Sequence, residues 1–264
     1  LLWAIGLNTV DSVLLRVAIE QTGIGASFSL GRFDADRELT ALAWEYGNIL
    51  PLGFDEDGLD EVAEEFAGRR RTGSSIVGPA DQVMGLWNRI CKRWGPARDV
   101  RERQFSMVMD SDPDVVADPL VQPAGVGDVS LVFPASVAMY IEEVGYDPTS
   151  HGAGYAYRVA RLVRSQHTFI RKAPLADGSG ERVVFKADVG ALAGGVAQIQ
   201  GVWVPPDPTR RGIATSGIAA SVALIREKVA STVSLYVNDF NEPAVAVYRK
   251  VGFDAVGEWT TIYI

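Results

Sequence analysis

The sequence is poor in the residue types on which several kinds of protein chemistry depend. Its 264 residues include one cysteine and two histidines. The single thiol, Cys91, can close no internal bridge, and with Ile90 and Trp94 on the same helical pattern it reads as an inert core thiol. No cysteine or histidine spacing suits zinc, and neither a Walker loop nor a nucleophile elbow is present. Long hydrophobic runs are lacking too. The segment Leu1–Val17 is only partly apolar, is broken by Asn8 and Asp11 and lacks a basic leader, so it is too short and too polar to span a membrane. Positive charge is also scarce: 25 Lys and Arg against 33 Asp and Glu leave a net charge of −8, which argues against non-specific nucleic-acid binding. These absences favour a soluble protein of the reducing cytoplasm, better suited to a cationic partner than to an anionic one.

The remaining composition, 47% hydrophobic and 22% charged, is that of an ordinary globular chain long enough for one large or two modest domains. The stretch Asp110–Asp128, with Asp112-Pro113, Asp118-Pro119 and Pro123-Ala124-Gly125, has the composition of loop. It divides the chain into an N-terminal α/β domain (1–110), a linker (111–130) and a C-terminal domain (131–264).

In the first region, Ser12–Gln21 reads as an amphipathic helix and Leu39–Leu52 as two strands about the turn Tyr46-Gly47-Asn48. Gly58–Arg70 is a helix, Ser74–Val77 a buried strand, Pro79–Trp94 a helix and Gln104–Met109 a strand. The second region repeats this order. Helices Pro134–Val144 and Gly154–Ser165 precede strands His167–Ala173, Arg182–Leu192 and Ala197–Val204. Helix Thr215–Val229, strand Ser234–Asn238, helix Glu242–Gly252 and a closing strand Phe253–Ile264 follow. Consecutive strands followed by alternating strands and helices give a mixed α/β sheet.

The segment Gly201–Thr215 carries the first chemical signal. A buried strand ends in Pro205-Pro206, crosses a short loop and enters a helix at Arg211-Gly212-Ile213-Ala214-Thr215. The first turn of a helix presents unpaired N–H groups and a positive dipole end. A glycine followed by small residues lets a phosphate approach, and Arg210 and Arg211 add charge for a polyanion. The same glycine equally suits a plain tight turn.

A second segment bears on that choice. Asn241, Ala244, Tyr248, Gly252 and Phe253 follow the strand Leu235–Asn238. With Gly212-Ile213-Ala214, this resembles the GNAT N-acetyltransferase family. That family pairs R/Q-x-x-G-x-G/A at a strand–helix junction with N-x-x-A-x-x-x-Y-x-x-x-G-F downstream. The resemblance covers the C-terminal half. More loosely, Arg71–Gly78, Trp94–Arg98, Glu142–Gly145, Phe185-Lys186 and Gln198–Val204 are similar to two-domain GNAT proteins whose N-terminal domain has no assigned function.

The resemblance implies a GNAT fold with a splayed central sheet and acetyl-CoA as co-substrate. It places the pantetheine amides on the backbone of Val202, Trp203 and Val204, and the pyrophosphate on the backbone from Arg210 to Thr215. Asn241 would steady the pantetheine arm, and Tyr248 would protonate the leaving thiolate during direct attack by an amine. A backbone N–H of strand Gly201–Val204 is the implied oxyanion donor. Asn241 also suits a helix N-cap, and Tyr248 a core tyrosine.

Two positions depart from the family. Thr209 replaces the motif Arg or Gln. Tyr236 stands where relatives that acetylate protein N-termini carry a glutamate, and a phenol with a pKa of about 10 is a poor base at neutral pH. The amine proton is then expected to leave through water to Glu142 or Glu143, with Asp188 and Asn238 as further candidates; solvated helix carboxylates are the alternative for the glutamates. His151 and His167 have no support from neighbours. Arg69-Arg70-Arg71 suits an anion or, more simply, a solvated helix end.

In the N-terminal region, Ser74–Val77 and Pro79–Trp94 occupy the order of a phosphate strand and helix. Their joint, Val77-Gly78-Pro79-Ala80, lacks the motif, and Pro79 removes an N–H. A degenerate GNAT-like domain that binds no acetyl-CoA and walls the acceptor site is expected. The whole chain reads as an acetyltransferase acting on a small-molecule amine, a protein N-terminus or a lysine; an acetyl-CoA sensor without turnover is the competing reading.

Overall fold

The computed structural model describes residues 8–22, 28–206 and 212–264. The first half runs α1 (Val13–Thr22), β1 (Phe28–Phe33), β2 (Leu39–Tyr46), β3 (Asn48–Leu52), α2 (Glu56–Ala67), β4 (Ser75–Pro79), α3 (Ala80–Trp94) and β5 (Asp99–Met109). The second half runs β6 (Gln122–Pro123), α4 (Val129–Val144), α5 (Gly154–Arg164), β7 (Thr168–Pro174), β8 (Glu181–Ala193), β9 (Val196–Trp203), α6 (Ile213–Lys228), β10 (Thr232–Asn238), α7 (Glu242–Val251) and β11 (Asp254–Tyr263). The order β1-β2-β3-α2-β4-α3-β5 recurs as β7-β8-β9-α6-β10-α7-β11. Strand β1 goes beyond the sequence reading. Helix α4 begins at Val129 and carries Pro134 within it, not at its start. Cys91, expected in the core, is only half-buried on α3.

Two compact units form, and they cross the boundaries drawn from composition. The first comprises Leu1–Met107, Tyr236–Glu242 and Ala255–Ile264; the second comprises Val108–Leu235 and Pro243–Asp254. The stretch 111–130 is therefore packed structure in place of a linker. Gln122 and Pro123 pair with Ile170 and Phe169 of β7, the Ala124 N–H donates to the Thr168 carbonyl at 2.8 Å, and Asp118 pairs with Arg171 at 2.5 Å. Proline, glycine and aspartate there mark irregular backbone, but irregular backbone can still be anchored.

In the first unit the strand order is β1-β2-β3-β4-β11-β5. Strands β1, β2 and β3 are antiparallel and β3 pairs with β4 in parallel. The last strand of the sequence is built into this sheet: Trp259 to Tyr263 pair antiparallel with Pro79 to Ser75. Period-two alternation supplies both faces. Ala41, Ala43, Ile76 and Ile262 pack with Leu59, Val62 and Phe66 of α2 and Val83, Leu86 and Ile90 of α3. Leu42, Trp44, Val77 and Trp259, displaced by an odd number of residues, pack with Leu15 and Ile19 of α1.

In the second unit the order is β10-β9-β8-β7-β6. Strands β7, β8 and β9 are antiparallel and β9 pairs with β10 in parallel. Val132 and Ala135 of α4 and Val159 and Val163 of α5 close over Ile170 and Val183. Most of β8 is buried without alternation, as suits a strand covered on both sides.

Trp259 tests the strand exchange. It is 1% exposed, stacks on Tyr236 with ring centroids 5.1 Å apart and donates its indole N–H to Asp11 at 3.0 Å. The Trp259→Ala variant is expected to lose about 3–5 kcal/mol in urea unfolding, with hydrogen-exchange protection falling in α1, β2 and β4.

Candidate functional site

The local geometry of β9 follows from two departures from regular pairing. Toward β10, the pairs found among the described residues are Val196, Ala197 and Gln198 with Thr232, Val233 and Ser234. Strand β9 nevertheless continues to Trp203 and β10 to Asn238. Backbone polar groups are obligatory hydrogen-bonding groups, so the Ile199–Trp203 edge is left able to accept an added, strand-like ligand. Toward β8, Asp188 faces Gln200 while Lys186 faces Trp203. One residue of β8, Ala187, thus opposes two of β9, Gly201 and Val202, which is a β-bulge. Gly201, with φ +58°, sits at the bulge in the left-handed region.

The next element, α6, starts as an anion site would. Gly212 takes φ 88° and ψ −10° as its N-cap, and no side chain caps the helix. Its carbonyl accepts from the Ser216 N–H at 3.1 Å, which leaves the first-turn amides of Ile213, Ala214 and Thr215 without intrahelical acceptors. Gly217, unnoticed in the sequence, lets α6 lie close to β8: a Cβ there would stand 2.6 Å from the Phe185 ring. Arg210 and Arg211, together with Thr209, lie outside the described residues.

Tyr248 lies on the buried side of α7 with its ring edge-on to Phe253 at 5.8 Å. Burial pushes its phenol well above its ordinary value, and the charge of Glu143 pushes the same way. Glu143 also acts on Tyr155, whose phenol is pushed up to about 12, first by burial and then by Asp188, with Arg158 opposing. Tyr155 donates to the Ser136 carbonyl at 2.8 Å. Glu142, the neighbouring carboxylate, accepts from the Trp203 indole N–H at 3.2 Å. The end of α4 therefore brings one carboxylate to the tip of β9 and the field of another to Tyr248.

The remaining sequence candidates are engaged elsewhere. Asp188 takes an ion pair from Lys186 and a hydrogen bond from Thr168 at 2.8 Å. The Asn238 side chain accepts from Gln104 at 3.0 Å. Tyr236 uses its ring to stack on Trp259. Asn241 immediately precedes α7, its N–H donating to the Asn238 carbonyl at 3.0 Å. Burial lowers the pKa of His167. Arg69 pairs with Glu65 at 3.0 Å and lies over Phe28, as a solvated helix end does.

One placement is corrected. By element order and strand direction, the N-terminal counterpart of α6 is α2, which follows β3, and not the helix after Val77–Ala80. Strands β3 and β4 also pair briefly, Asn48 with Ser75 and Ile49 with Ile76. Gln82 sits beside the backbone that follows β3, accepting from the Phe54 N–H at 2.9 Å and donating to its carbonyl at 3.0 Å. Asp55 caps α2 on the Gly58 N–H, with Glu56 and Asp57 in the first turn. Carboxylates and a glutamine thus stand at the place in the first unit that corresponds to the uncapped start of α6 in the second. Sequence order alone misassigned this joint because β1 was missing from the count of strands.

Residues 179–253 match the model of the Acetyltransferase (GNAT) family, and residues 29–132 match that of DUF4081, a domain of unknown function. Mycothiol acetyltransferase of Clavibacter sepedonicus is 38% identical over 60 residues, 23% of this chain and 20% of the relative, so the match spans about a fifth of that protein's length. Among solved structures, a GCN5-related N-acetyltransferase from Kribbella flavida superposes with a TM-score of 0.57 at 15% identity, covering 96% of this chain and 95% of the other. A tandem GNAT protein from the clavulanic acid biosynthesis pathway gives 0.51 at 12% identity, covering 97% and 87%. The fold is therefore the GNAT fold, with the likeness to the GNAT acetyltransferase family carried by residues 179–253 and that to DUF4081 by residues 29–132.

Proposed function

We propose that this protein transfers the acetyl group of acetyl-CoA to a primary amine by direct attack. The early end of the β9–β10 pairing carries the reading, because it leaves a strand edge without a strand partner beside an uncapped helix start. In this reading the backbone of Val202, Trp203 and Val204 takes the pantetheine arm, with one N–H of the strand left to face the thioester carbonyl. The amides from Gly212 to Thr215 take the pyrophosphate, with Arg210 and Arg211 adding charge, and Asn241 steadies the pantetheine arm.

A neutral amine attacks the thioester carbonyl, forming the C–N bond and an oxyanion. Collapse breaks the C–S bond, and the departing thiolate takes the Tyr248 proton. The proton shed by the amine nitrogen passes through water to Glu143, with Glu142 held at the entrance by Trp203. Glu143 is preferred because its charge reaches Tyr248. Two carboxylates at the end of α4, Glu142 and Glu143, favour a cationic acceptor, whether small molecule, protein N-terminus or lysine. The N-terminal unit carries acidic groups at its counterpart site, which speaks against acetyl-CoA there. A cytoplasmic setting fits the single cysteine.

The rival reading, an acetyl-CoA sensor, draws on Tyr236: the family's glutamate position holds a ring committed to packing. Thiol release from acetyl-CoA across an amine panel separates the two. Turnover supports the enzyme; thermal stabilisation by acetyl-CoA without thiol release supports the sensor.

Two variants sharpen the test. Tyr248→Phe is expected to lower kcat by about 100-fold or more with little change in acetyl-CoA affinity. Because its pKa is raised above about 10, Tyr248 stays protonated through neutral pH. Wild-type kcat should then show no alkaline fall below about pH 9.5, and a midpoint near pH 8 would exclude Tyr248 as the acid. Gly212→Asp places a carboxylate at the start of α6 in a left-handed position. It should weaken acetyl-CoA at least about tenfold by calorimetry, while far-UV dichroism stays native.

A further inference from the structure

The bulge in β9 rests on a buried charge. Lys186 is 0% exposed, in a strand whose neighbours Val183, Val184, Phe185, Ala187 and Val189 are apolar. It pairs with Asp188 two residues on and donates to the Gly201 carbonyl at 3.1 Å. Asp188 is held in turn by the Thr168 hydroxyl at 2.8 Å. A Cβ on Gly201 would lie 3.1 Å from Asp188 Oδ2, 3.2 Å from Lys186 Nζ and 3.3 Å from Met139 Cε. The peptide is thus pressed against the ion pair, and only glycine takes its φ of +58° without strain.

A buried ion pair is a poor device for stability, since apolar residues of similar volume often serve as well or better. Its position suggests another use. A peptide unit is planar and trans, so its carbonyl and the following N–H point in opposite directions. By fixing the Gly201 carbonyl, the ammonium also fixes the direction of the Val202 N–H. Bulges recur beside active sites because they re-aim such groups.

We propose that Lys186 is a positioning residue that, through the Gly201 carbonyl, aims the Val202 N–H at the thioester carbonyl oxygen and holds it there as negative charge develops. The inference rests on the acetyl-CoA reading above. It makes the oxyanion donor one defined N–H whose orientation is set from inside the sheet. Preorganised donors of this kind act on the transition state far more than on the bound ground state.

Lys186→Met alone leaves Asp188 buried without its ion-pair partner and risks the fold, so the test uses K186M/D188N beside the wild type. The double variant is expected to lose about 100-fold in kcat with the KM for acetyl-CoA within about threefold. In valine-labelled ¹⁵N spectra, acetyl-CoA should move the Val202 amide resonance in the wild type, and the variant should lose that shift while still binding. A natively folded variant with kcat within about threefold of wild type overturns the proposal, as does an unchanged Val202 shift. If the wild type binds acetyl-CoA but releases no thiol, the acetyl-transfer reading fails and the Val202 shift still decides the role of Lys186. If the wild type binds no acetyl-CoA, both fail together.

Discussion

Two parallel strands whose pairing runs, among the described residues, for three residues are the constraint on which the second unit depends. Parallel strands in a covered α/β sheet ordinarily pair along their length. Here the pairing stops at Gln198 and Ser234, and what lies around the opening suits that early stop. Gly212 starts α6 in a left-handed conformation at the end of the next loop. Gly217 brings that helix against Phe185. Gly201 lets β9 bulge over Lys186 and Asp188. Three glycines of the second unit are thus each needed for a different steric reason.

The two halves of the chain show how the same order of elements can be used differently. In the second unit the helix after the third antiparallel strand begins without a side-chain cap. In the first, Asp55 supplies the cap and further carboxylates fill the turn. An aspartate cap satisfies orphan N–H groups and favours the helix dipole. What strengthens α2 as a structural element removes it as an anion site.

Much of the second half was legible in the sequence because its signals are local. Gly212-Ile213-Ala214 and the spacing from Asn241 to Phe253 lie within single strand–helix turns, and strands β7 to β11 fall within a few residues of where periodicity puts them. Less was legible where the deciding contacts are distant. The composition of Asp110–Asp128 is that of a loop, and nothing nearby announces that Asp118 will meet Arg171 or that Pro123 will pair with Phe169. Lys186 entered the sequence reading only through the looser resemblance, because its partner carbonyl lies fifteen residues away across a bulge. Residues 254–263 read as an ordinary closing strand, and only tertiary pairing assigns them to the first unit.

That assignment bears on synthesis. The first unit's sheet needs a strand made about 145 residues after β5, counting from Met109 to Asp254. While the ribosome is still making the second half, β4 has an open edge and the cluster around Trp44 and Val77 lacks Trp259. Domains that fold as units normally do so in the order of their synthesis. Here the half made first must wait for the half made last, so the nascent chain carries an exposed strand edge of the kind that chaperones guard.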